Sequence, residues 1–69
     1  MESERLMRLA KLHKKALDLF EGDAVAARTW LSSPNRALGG RIPLSLVETE
    51  LGVLAVEDVI GRLEHGVYS

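Results

Sequence analysis

Apolar and polar positions follow a helical rhythm from the start of the chain. Leu6, Leu9, Ala10, His13, Ala16, Leu17 and Phe20 recur three and four residues apart, which puts them on one face of an α-helix. The spacing predicts a helix from Ser3, as N-cap, to Phe20, with Gly22 as the stop. Asp23 has the carboxylate of an N-cap for a second helix, Ala24 to Leu31, whose apolar side carries Ala27, Trp30 and Leu31.

The stretch WLSSPNRALGGRIPLSLVET, residues 30–49, has too much punctuation for one helix and too many aliphatic residues for a linker. Ser33 and Pro34 read as the cap and first position of a short helical turn that Gly39 and Gly40 end. Ile42 is restricted to extended backbone by the proline after it. Pro43 then opens a helix whose core side is Leu44, Leu46, Val47 and Leu51, stopped at Gly52. A last helix, Val53 to Glu64, presents Val53, Val56, Ile60 and Leu63 inward with Val59 beside them. Gly66 ends it and leaves Val67, Tyr68 and Ser69 as a tail. The fold class expected is all-α: a small bundle of about four main helices plus a short helical turn. Residues 1–22 form an N-terminal amphipathic helix and residues 23–69 form the remaining domain.

Size and charge narrow the function. Sixty-nine residues allow one domain, and a chain near this size buries only about 60% of the surface it exposes when unfolded. A formal net charge of -1 gives no global pull toward nucleic acid or an acidic membrane. No Cys is present, which removes disulfides and thiolate chemistry. No stretch approaches the roughly 20 apolar residues of a membrane span, and the N-terminus lacks the apolar region of a signal peptide, so a cytoplasmic protein is expected.

Catalytic and metal chemistry find little support. His13 and His65 have no second ligand at metal spacing. Ser32, Ser33 and Ser45 lack the His or Cys pattern of a nucleophile. Glu48 and Glu50 point to different sides of a helix. No enzyme activity, cofactor or metal is expected. His13 fits a core or interface histidine and Trp30 a core side chain. Arg8, Lys11 and Lys15 form a basic stripe suited to phosphate contacts, which keeps a nucleic-acid-binding autoregulator as the alternative function. A helical scaffold of identical subunits is a third. Tyr68, one residue from the chain end, either folds back or docks into another molecule.

The series Phe20, Trp30-Leu31, Pro34-Asn35, Ala37-Leu38-Gly39-Gly40, Pro43-Leu44, Leu46, Thr49, Gly52, Val56, Arg62, His65-Gly66 and Tyr68 resembles the toxin-binding domain of Xre/MbcA/ParS-type antitoxins, the partners of RES-domain toxins. The resemblance covers roughly Ala16 to Ser69. It implies an antitoxin that neutralises an NAD-consuming toxin by laying its C-terminal segment over the NAD pocket, and it implies a homodimer or a larger toxin–antitoxin assembly. Carried onto this chain, it implicates Arg62, His65, Gly66, Val67, Tyr68 and Ser69 in toxin binding. Asn35 and Arg36 of the loop are further candidates. Such antitoxins often have an N-terminal helix-turn-helix domain. The residues before Asp23 read as one helix, which cannot make that motif, so promoter binding through such a domain is not expected of this chain.

Overall fold

The computed structural model describes the backbone of residues 2–65 and the side chains of residues 3–65. Three α-helices lie among them: α1, Glu2–Leu19; α2, Ala24–Ser32; and α3, Glu50–His65. Two short 3-10 helices, Arg36–Leu38 and Pro43–Leu46, connect α2 to α3. The all-α class is as expected, but the helix count is not. The segment opened by Pro43 closes after a single 3-10 turn, and the last helix begins at Glu50, three residues before the expected Val53. Gly52 stops nothing. It sits in the first turn of α3, where a Cβ would overlap the carbonyl oxygen of Leu46. The glycine lets α3 start against the backbone of the preceding turn, and a larger residue would force the two apart. The side chain of Thr49 accepts the Gly52 N–H at 2.9 Å and serves as the cap.

Two other helix ends differ from expectation. Ser3 lies inside α1, which begins at Glu2. At the far end, the N–H of Gly22 reaches the carbonyl of Leu17 and that of Glu21 reaches Asp18, the paired bonds of a Schellman motif. Glu21, at φ 56, therefore takes the left-handed position expected of glycine, and Gly22 follows it. Asp23 does cap α2, accepting from Ala26 N–H at 3.1 Å.

The corner between α2 and α3 is organised by Asn35. Its N–H donates to the carbonyl of Arg41, its own carbonyl accepts from Leu38 and Gly40, and its Oδ1 accepts from Ala37 at 2.9 Å. Asn35, not Ser33, caps the first 3-10 helix. Ser33 instead ends α2, its hydroxyl donating to Thr29. Gly39, at φ 70, closes the turn in the left-handed region. The pairing of Asn35 with Arg41 is an isolated bridge, and no strand is present among the described residues.

Burial follows a different line along α1 from the richest apolar stripe. Leu12 and Ala16 are fully buried, while Leu6 is 61% exposed and Leu9 37%. Leu12 joins Val47, Val53, Val56 and Ile60 in one core cluster between α1 and α3; Ala16 joins Ala27 and Leu31 in a second between α1 and α2. Trp30 is half-buried and packs against both. The two alanines let α1 and α2 approach closely. Leu51, at 79%, and Leu63, at 48%, were expected inside and lie outside. Arg8 lies along the buried side of α1. Its Nε donates to the carbonyl of Val47 at 2.6 Å and its Nη2 to that of Glu48 at 3.3 Å, satisfying backbone groups at the end of the second 3-10 helix.

Candidate functional site

The last turn of α3 holds the first two of the residues expected to bind a partner. Arg62 is exposed, its guanidinium 2.9 Å from Asp58 one turn earlier, a pair at this exposure being worth little stability. His65 is the final residue of α3 and is exposed. Arg62 sits in the last turn of α3, where the helix dipole favours positive charge. Gly66, Val67, Tyr68 and Ser69 lie outside the described residues.

The other two candidates are elsewhere. Asn35 is half-buried and commits its N–H, carbonyl and Oδ1 to the corner; Arg36 beside it is exposed. The corner meets α3 near its start, where Leu38 and Arg41 share a shallow pocket with Leu51 and Ala55. Arg62 lies three turns beyond Leu51 on the same helix, about 16 Å at the helical rise. The fold therefore separates Asn35 and Arg36 from Arg62 and His65 along α3.

The basic stripe of α1 is half-buried at Arg8 and exposed at Lys11 and Lys15. Besides Arg8 and its two carbonyls, Lys11 Nζ is 3.4 Å from Glu57 of α3, whose side chain is only 15% exposed. Arg5 pairs with Glu48 at 3.0 Å. Lys15 alone of the three stripe residues has no such partner among the described residues. Arg8 is committed to the end of the second 3-10 helix, while Arg5 and Lys11 keep most of their side chains in solvent, where such pairs add little stability.

One surface escaped the sequence reading. Leu6, Leu9, Ala10, His13 and Leu17, members of the expected apolar face, line an open groove of about 520 Å³ together with Leu31 of α2 and Leu44 of the second 3-10 helix. The signal was present: α1 has more apolar residues than one buried stripe accommodates.

Among the described residues no group of three His, Asp or Glu side chains is placed to hold a metal, and no helix is long and apolar enough to cross a membrane. What the fold offers is exposed helix surface and a helix end, the features of a small helical binding domain. Residues 15–66 match the family model of the antitoxin Xre/MbcA/ParS C-terminal toxin-binding domain, and the chain belongs to that family. A protein named antitoxin Xre from Yersinia enterocolitica is 56% identical over 68 residues, covering 99% of this chain and 46% of that protein. Its namesake in Photorhabdus laumondii is 44% identical over 68 residues, again 99% of this chain and 46% of the relative. One from Pseudomonas putida is 34% identical over 65 residues, 94% of this chain and 40% of the relative. The chain thus spans less than half the length of these curated relatives.

Proposed function

We propose that this domain acts as an antitoxin, binding a RES-domain toxin that consumes NAD and blocking access to its NAD pocket. The observation that carries the reading is the family match over residues 15–66, which runs through the α2–α3 corner to the end of α3. The toxin is the enzyme; this chain supplies no reacting group. Arg62 brings positive charge and His65 a polar ring to the end of α3, and Gly66, Val67, Tyr68 and Ser69 continue from it as the segment that enters the cleft. Tyr68 contributes most of the buried area there, its ring apolar and its hydroxyl available to a polar partner. The same reading takes the domain to act in the cytoplasm, as a homodimer or within a larger toxin–antitoxin assembly.

The test is co-expression with a RES-domain toxin, following growth and cellular NAD. The full chain is expected to restore both. A chain ending at His65 is expected to lose protection while keeping its helical circular dichroism. Protection by the shortened chain would overturn occlusion by the tail.

A further inference from the structure

The groove on the outer side of α1 is apolar in its floor and cationic at its edge. Leu6, Leu9, Leu17, Leu31 and Leu44 supply the floor, and His13, Lys14 and Arg28 stand at its side with no carboxylate among the lining residues. The Arg28 side chain is exposed and makes no ion pair or hydrogen bond among the described residues. Lys14 reaches its one partner, Asp18, at 3.9 Å, with both side chains mostly in solvent. The groove on the opposite flank of α1 differs: it has Glu4 and Glu50 as well as Arg8, Lys11 and Lys14 around Met7 and Val53. Of these two grooves, only the first has charge of a single sign.

Its length also has meaning. Leu6 to Leu17 spans three turns, about 16 Å, the footprint of a short helix laid along a groove by side chains at three- and four-residue spacing. A second copy of the chain is a poor occupant. A two-fold interface sets a patch against itself, and this lining offers Arg28 of either copy no carboxylate, while the acid at its edge, Asp18, already faces Lys14. A wholly apolar helix would desolvate the same cations without compensation. We propose that this groove docks an amphipathic helix of another protein, one whose leucine-like face is flanked by Asp or Glu. The site is largely separate from the toxin-binding match, since Leu6, Leu9, Ala10, His13 and Lys14 precede residue 15. It does not depend on the tail.

Two fluorescein-labelled helical peptides of about 15 residues, alike in their leucine and alanine positions and differing only in Glu or Lys flanks, test this by anisotropy on the full chain. The Glu peptide is expected to bind at least about tenfold more tightly than the Lys peptide at low salt, the difference shrinking as salt is added. Arg28→Glu is expected to remove or reverse that preference, and Leu9→Glu to abolish binding of both peptides. Both positions are exposed, and circular dichroism checks that the variants stay folded. Equal affinity for the two peptides, binding of neither, or a preference unchanged in Arg28→Glu would overturn the proposal. So would a dimer in sedimentation velocity that Leu9→Glu dissolves, which would give the groove to a second copy. Failure on any of these counts leaves toxin neutralisation by the tail untouched.

Discussion

Two faces of α1 compete for the core, and the one with fewer hydrophobic residues wins it. The face through Leu6, Leu9, His13 and Leu17 carries three leucines; the face through Arg8, Leu12 and Ala16 carries one leucine, one alanine and an arginine. The two lie roughly 100° apart around the helix. Yet Leu12 and Ala16 are fully buried and Leu6 is mostly exposed. The partners explain it. Val53, Val56 and Ile60 of α3 enclose a single large side chain at Leu12, and Ala27 of α2 allows nothing larger than an alanine opposite it without separating the helices. Arg8 is admitted because two backbone carbonyls wait for its guanidinium. Fit against neighbours decided burial, and the surplus apolar face became surface.

The sharpest way to break this comparison is at Leu12. Leu12→Ala removes the fully buried leucine that α1 contributes to the α1–α3 cluster and is expected to cost about 3 kcal/mol. A domain of this size holds only roughly 3–5 kcal/mol in its own core, so the variant should keep no more than about 2 kcal/mol, read as a much lower urea midpoint followed with circular dichroism. A loss below about 1 kcal/mol would mean that α1 can rotate its leucine-rich face inward and that the two faces are interchangeable.

The same contrast marks how far the sequence could be read. Helix existence was legible wherever caps and breakers were local: Asp23 before α2, Gly39 after the first 3-10 turn, Ile42 held extended before Pro43. Errors arose where a local signal had two meanings. Gly52 reads as a stop along the chain, but its role is to let the Leu46 carbonyl approach α3, a contact that exists only in three dimensions. Leu51 and Leu63 keep helical spacing with true core residues yet fall to its edge. For the candidate site, Arg62 falls in the last helix as expected, His65 extends that helix one residue past the expected end at Glu64, and Asn35 lies in the corner. That its groups are turned to hold that corner together depends on Arg41 and Gly40 folding back to it. The groove was illegible because periodicity reports a face and not which neighbour covers it.

Arg8 sharpens the comparison from the polar side. Arg8→Met keeps much of the side chain's bulk but takes both donors from the Val47 and Glu48 carbonyls. The expected cost is about 1–2 kcal/mol. Lys15→Met, on the same stripe but without an ion pair among the described residues, should change stability by less than about 0.5 kcal/mol. Measured as urea midpoints at constant slope, equal effects would show that the stripe acts through charge alone and that the Arg8 carbonyl contacts contribute nothing.

Leu6 gives the smallest effect and the most discriminating one. It belongs to the apolar stripe by spacing, but 61% of it already faces solvent, so little transfer energy is lost when it becomes polar. Leu6→Gln keeps helix propensity nearly constant, which confines the change to the surface. Its effect on stability should be within about 0.5 kcal/mol, a small fraction of that expected at Leu12, six residues away on the same helix. A larger loss would mean that Leu6 is covered in solution. The concentration dependence of the unfolding midpoint then assigns the cover. A midpoint rising with concentration in the unaltered chain but flat in Leu6→Gln identifies association through this face. A concentration-independent loss places Leu6 in the chain's own core and withdraws the distinction between the two faces. A near-neutral result leaves α1 as drawn, with one face that holds the fold together and another that the fold does not need.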